Sequence, residues 1–147
     1  NAHYYSPEVM NEQASALGDA CAKAIEESGK KVVLISSHSL SHRHFVTESP
    51  LPEDMSREHI YNHSQYVWDM KLVDLMRDGK MKEVIDIMPE FTEQTIAETE
   101  AGGLTWMMAA MGYPEYPAEI YGYQSVIGTG NLIAAWDPLE ATREIVL

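Results

Sequence analysis

Four of the six histidines, His38, His42, His44 and His59, crowd into one stretch, and His63 follows closely. Imidazole is the commonest metal ligand and the side chain that titrates near neutral pH without help from its surroundings, so this stretch suits metal or acid–base chemistry. His42 and His44 alternate, and in extended chain they face opposite ways, so only one of them can enter a given site. His59 and His63 stand four apart, a helical spacing that holds zinc in one class of proteases. Those proteases need Glu directly after the first His, and Ile60 stands there. A solvated helix start accounts better for that pair, and His3 and His44 take the same ordinary reading. His38 and His42 differ because they follow a run of aliphatic residues, Lys31-Val32-Val33-Leu34-Ile35. Read alone, the pair supports a metal or acid–base site and nothing narrower.

Ser37, Ser39 and Ser41 interleave with these histidines and raise serine hydrolysis. The Gly-x-Ser-x-Gly elbow is missing, and each hydroxyl can simply satisfy backbone groups of a loop. Gly128-Thr129-Gly130-Asn131 looks like a phosphate loop but lacks the third glycine and a following Lys-Ser or Lys-Thr. A tight turn between strands, with glycine supplying positive φ, fits it better. The single cysteine, Cys21, cannot form an internal disulfide, which fits a reducing cytoplasm. It falls in helical register with Leu17, Ala24 and Ile25 and reads as a small core residue.

The elements that must position these groups follow from spacing. Ser6-Pro7-Glu8 begins a helix, with Ser6 as N-cap, and Val9, Met10, Ala14, Leu17, Cys21, Ala24 and Ile25 form its apolar stripe up to Ser28-Gly29. Lys31–Ile35 then reads as a buried strand of a mainly parallel sheet, at whose C-terminal end catalytic groups gather. After a loop from Val46 to Met55, a helix starts near Asn62 or Ser64, carries Val67, Met70, Val73 and Leu75 or Met76 inward, and stops at Asp78-Gly79. Met81–Met88 is a short helix ended by Pro89. Phe91–Thr99 and Leu104–Met111 are two more, separated by Gly102-Gly103. Glu119–Ile127 and Leu132–Trp136 read as two closing strands.

The bulk numbers narrow the function classes. A chain of 147 residues is one domain's length and buries roughly 70% of its unfolded surface. Hydrophobic residues make up 45% and charged ones 22%, an ordinary globular balance. The net charge of −13, from 23 acids against 10 bases, repels phosphate backbones, and Lys and Arg nowhere cluster. Nucleic acid is therefore not an expected partner. The longest uncharged apolar run, Leu104–Met111, falls far short of the about 20 residues that span a bilayer. No basic-then-apolar start suggests secretion, and the expectation is a cytoplasmic protein.

Ser36-Ser37-His38-Ser39-Leu40-Ser41-His42-Arg43-His44-Phe45 resembles the Ser-x-x-Leu-Ser-His segment of the class III extradiol ring-cleavage dioxygenases. Pro52-Glu53-Asp54-Met55-Ser56, Trp68-Asp69, Leu75-Met76-Arg77, Gly79-Lys80, Leu104-Thr105-Trp106-Met107 and Gly122-Tyr123 fall in the order seen in that family. So does Val126-Ile127-Gly128-Thr129-Gly130-Asn131. Any single piece is weak, but the ordered set is specific and covers nearly the whole chain. The resemblance implies an α/β fold over residues 1–147: the C-terminal half of a mainly parallel central sheet flanked by helices, with a helical excursion between strands. It implies an Fe(II)-dependent enzyme that inserts both atoms of O2 into a catechol or 2-aminophenol type aromatic ring. In that family two His and one carboxylate hold Fe(II) on one face and leave open positions. The carboxylate matches Glu98, with its neighbour Glu100 as the alternative; without the resemblance both would read as a solvated helix face. The family's acid–base histidine matches His42. His38 stands where relatives carry other residue types, so no role passes to it.

The family's two iron-binding histidines lie in its N-terminal half and have no counterpart in this chain. The expectation is therefore the C-terminal half of a larger polypeptide, or one of two chains that complete the fold, in a dimer or hetero-oligomer. The isolated chain is then expected neither to retain iron nor to open a ring, and its first helix and Lys31 strand should present unpaired edges. Two alternatives stand beside this: a non-catalytic partner subunit of the same superfamily, and a zinc-dependent hydrolase using His38, His42 and His44.

Overall fold

The computed structural model describes residues 6–43 and 59–141. Helix α1, Pro7–Ser28, starts as its sequence requires: the Ser6 side chain accepts a hydrogen bond from the Val9 N–H at 3.3 Å, and Pro7 sits in the first turn where no N–H is needed. It ends at Gly29, whose φ of 61° is left-handed. The buried side of α1 runs through Ala14 and Gly18, while Val9 and Leu17 are exposed. The expected stripe is met at Ala14 and Cys21 and missed at Val9 and Leu17, because Gly18 forms the close contact. A Cβ there would lie 2.4 Å from the Trp106 carbonyl oxygen and 2.5 Å from the Ala109 Cβ. Trp106 lies on α4, Gly102–Ala110, which packs against α1 and directs the Trp106 Nε1–H to the Cys21 sulfur at 3.4 Å.

Helix α2, His63–Arg77, is capped by Asn62, whose side chain accepts from the Gln65 N–H at 2.9 Å. Its buried face is Gln65, Asp69, Leu72, Val73 and Met76, so two polar residues occupy core positions, while Val67, expected inward, is exposed. His59 lies before this helix and outside it, so His59 and His63 do not share a helical face. Helix α3, Met81–Thr95, runs straight through Pro89, contrary to the expected break. Proline forfeits one N–H, but Met88, Phe91, Thr92 and Thr95 are all buried, and their packing outweighs that loss. The expected helix to Thr99 stops four residues early, at a left-handed Ile96. Gly102-Gly103, expected as a separator, instead forms the first turn of α4.

Strands β1, Glu119–Val126, and β2, Thr129–Ala135, form an antiparallel hairpin. Its turn residues Ile127 and Gly128 both have positive φ, as a two-residue hairpin connection demands. A final turn, α5, covers Pro138–Ala141. The sheet among the described residues is this two-stranded antiparallel pair; a mainly parallel central sheet is not what the structure shows. Lys31–Ile35 forms no strand, and Val33 and Ile35 are 85% and 77% exposed, although Leu34 packs against the core. A strand needs a neighbour's N–H and C=O groups, and no described segment offers them to these residues. The core is built from Leu72, Met76, Met81, Val84, Met88, Phe91, Leu104 and Met108. No helix among the described residues is long and apolar enough to cross a membrane.

Candidate functional site

Four consecutive backbone N–H groups tie down the turn that carries the histidines. Ser39 donates to the Glu98 Oε2 at 2.8 Å, Leu40 to the Gly130 carbonyl at 2.9 Å, Ser41 to the Asp69 Oδ1 at 3.0 Å, and His42 to the Thr95 carbonyl at 3.3 Å. The acceptors come from α2, β2, the end of α3 and the turn beyond it. An extended segment that meets β2 at one antiparallel bridge, His42 to Thr129, thus gains a fixed path from elements far apart in sequence.

Glu98 reaches Ser39 because of unusual backbone just after it. Thr99, Glu100 and Ala101, none of them glycine, have φ of 50°, 55° and 54°. Left-handed backbone costs a residue with a Cβ about 1–2 kcal/mol, and such strain persists only where packing over-determines it. Here Glu100 and Ala101 are buried, and the Thr92 hydroxyl donates to the Glu100 carbonyl at 3.4 Å. Glu100, the alternative metal carboxylate, is thereby turned into the protein, whereas Glu98 is half-buried and faces the histidine turn. The Ser39 N–H holds the Glu98 carboxyl below the usual glutamate range; partial burial opposes this, and the charge of His42, then of His38, adds to it. Glu98 is therefore a carboxylate at neutral pH, within electrostatic reach of both histidines.

His38 is fixed differently. Its Nδ1 lies 2.7 Å from the Ser39 carbonyl oxygen, and since a carbonyl only accepts, Nδ1 is the donor of that bond. The ring lines a pocket with Ser36, Leu40, Met107, Leu132 and Trp136. Two buried atoms of that wall, Ser36 Oγ and Trp136 Nε1, find no hydrogen-bond partner among the described residues. His63 is exposed on the first turn of α2, in keeping with a solvated helix start. His3 and His44 fall outside the described residues, and with His44 goes the third member of the proposed zinc cluster.

The residues fit a metal in part. Glu98 is an anionic oxygen donor of the kind Fe(II) takes. Among the described residues, however, no group of three or more His, Cys, Asp or Glu could hold a metal ion. One carboxylate makes an incomplete ligand set.

Asp69, named in the sequence only as part of an ordered motif, received no role there. This α2 carboxylate is fully buried, accepting from the Ser41 hydroxyl at 2.6 Å and the Tyr123 hydroxyl at 2.7 Å in addition to the Ser41 N–H. Burial pushes its pKa up, and the bonds from Ser41 and Tyr123 pull it back. A usable signal was present: an acid falling in helical register with Leu72, Val73 and Met76 needs a polar partner inside the fold.

The turn that bears His38 and His42 is thus held beside the Glu98 carboxylate. Residues 2–134 match the family described as the catalytic LigB subunit of aromatic ring-opening dioxygenase, and the chain belongs to that family. It is 47% identical over 139 residues to the 2-aminophenol 1,6-dioxygenase beta subunit of a Pseudomonas species, covering 95% of this chain and 46% of that one. It is 28% identical over 105 residues to the 3,4-dihydroxyphenylacetate 2,3-dioxygenase of Escherichia coli, covering 71% of this chain and 37% of that enzyme. The chain thus spans less than half the length of these two relatives.

Proposed function

We propose that this chain is the carboxylate-bearing part of an Fe(II)-dependent extradiol dioxygenase, which inserts both atoms of O2 into a catechol or 2-aminophenol type ring. Glu98 is the metal carboxylate and His42 the acid–base group. The observation that carries this reading is the convergence of the two on one turn: Glu98 accepts the Ser39 N–H, and its carboxylate feels the charge of His42. Two histidines from the rest of a relative-length polypeptide, or from a second chain, complete the ligand set in a dimeric or hetero-oligomeric cytoplasmic enzyme.

Glu98 would hold the iron, which when bound would supply the Lewis-acid and dioxygen chemistry of the reaction. The chain's own residues do the rest. Glu98, kept ionised by the Ser39 N–H, offers an anionic oxygen donor beside the histidine turn. His42 takes a proton from the substrate's hydroxyl or amino group and returns one as the ring opens beside the two heteroatoms. Its backbone N–H donates to the Thr95 carbonyl, which fixes the main chain from which the imidazole projects.

Metal analysis and oxygen uptake with catechol and with 2-aminophenol test the proposal. They are measured on the 147-residue chain alone and on its assembly with the rest of a relative-length protein. The chain alone should neither retain stoichiometric iron nor consume oxygen, and the assembly should do both. Full activity in the isolated chain overturns the ligand assignment, and an iron-loaded assembly that opens neither ring overturns the catalytic role in favour of a supporting subunit.

A further inference from the structure

We infer that Asp69 is a positioning residue, which fixes Ser41 and through it the backbone that carries His42. This rests on the reading of His42 as the acid–base group. Asp69 is fully buried on the same face of α2 as Leu72 and Met76, where an apolar side chain would pack without desolvating a charge. What the carboxylate adds is direction. Its Oδ1 takes the Ser41 N–H at 3.0 Å, and its Oδ2 takes the Ser41 hydroxyl at 2.6 Å and the Tyr123 hydroxyl at 2.7 Å. Ser41 is gripped at both its backbone and its side chain, which leaves little rotational freedom to the peptide leading into His42.

The grip is itself braced. The Gly130 N–H donates to the Ser41 carbonyl at 3.0 Å and to the Ser41 hydroxyl oxygen at 3.1 Å. A Cβ at Gly130 would lie 1.9 Å from the Asp69 Oδ2, so β2 can descend onto this network only without a side chain there. Tyr66 meets Tyr123 edge-on, with ring centroids 5.9 Å apart, and holds the phenol over Asp69. Three segments distant in sequence therefore act on the residue immediately before His42, and networks of this kind specify one arrangement.

NMR of the iron-free chain tests this through backbone amide exchange and the His42 ring signals. Asp69→Ala should speed Ser41 amide exchange by about tenfold or more while the Leu72 and Met108 amides keep their protection. The His42 ring signals should shift and broaden in the same variant. Asp69→Asn, which keeps an acceptor for the Ser41 N–H, should restore Ser41 protection to within about threefold of the parent. A single sharp His42 ring signal at its parental position in Asp69→Ala, with Ser41 protection intact, overturns the inference. If Asp69→Ala does not fold, Tyr123→Phe decides. It removes one bond from Oδ2 and should speed Ser41 exchange by about threefold with core amides unchanged; no change overturns the inference. No iron or substrate enters these measurements, so failure of the ring-opening proposal leaves them unmoved and the two are separable.

Discussion

The Glu98 carboxylate accepts the Ser39 N–H at 2.8 Å, and this bond fastens an acid beyond α3 to the turn between His38 and His42. The two residues lie far apart in sequence, and their meeting depends on the left-handed backbone at Thr99, Glu100 and Ala101. That backbone separates the two nearby acids: Glu100 goes into the protein and Glu98 toward the histidines. Glu98→Gln keeps an oxygen acceptor but loses the charge. Since the native pKa lies below the ordinary value of 4.5, the group's contribution to stability is present above that value and fades as pH falls through the lowered one. The stability difference between parent and Glu98→Gln should shrink on acidification, measured by urea unfolding across pH. A difference that grows on acidification contradicts the geometry.

Asp69 should show the opposite sign. Burial raises its pKa above the ordinary 3.8, so the folded chain holds this proton more tightly than the unfolded one. Its contribution is complete below 3.8 and is lost as pH rises through the raised value. The parent should therefore lose stability relative to Asp69→Asn as pH climbs from 3.8 through the raised value, and the difference should level off above it. Denaturant midpoints of both proteins in parallel check this, and a flat difference contradicts it.

Gly130→Ala should destabilise by about 2–4 kcal/mol, because overpacking is joined by the disruption of buried polar bonds. Its Cβ would meet Asp69 Oδ2, the Ser41 hydroxyl and the Tyr123 hydroxyl at once. Gly29→Ala supplies the comparison: nothing lies within 4 Å of its Cβ, but φ is +61°. That substitution should cost about 1 kcal/mol, from strain alone. Equal effects on the unfolding free energy would contradict the account.

The α1–α4 contact predicts a similar contrast on neighbouring residues. Gly18→Ala puts a methyl against the Trp106 carbonyl and the Ala109 Cβ and should cost about 1–3 kcal/mol. Leu17→Ala, at a position 59% exposed, should stay within about 0.5 kcal/mol. Thermal or chemical unfolding separates them.

Much of this was legible in the sequence, and the failures have identifiable causes. Ser6-Pro7 announced its helix through capping chemistry, the start expected near Asn62 or Ser64 falls at His63, and the closing strands announced themselves by a glycine turn between two β-rich runs. Pro89 misled because local propensity yielded to the burial of Met88 and Phe91. Lys31–Ile35 has a strand's composition, but pairing is a property of two segments and no described neighbour supplies the second. The ordered motifs singled out Glu98 and His42. Asp69 was overlooked because apolar periodicity counts apolar residues, and the buried face of α2 opens with Gln65 and Asp69. The left-handed turn after Glu98 left no trace in composition, since no glycine marks Thr99 or Glu100.

The central claim is that Glu98 and His42 do different work at one iron. Iron content and oxygen uptake, measured together on Glu98→Ala and His42→Ala in the complete assembly, test it most directly. The account predicts that Glu98→Ala weakens iron retention by about 100-fold or more. It predicts that His42→Ala keeps iron at the parental level but slows ring opening by about 10²–10⁴-fold. Parental iron and turnover in Glu98→Ala, or parental turnover in His42→Ala, would contradict it.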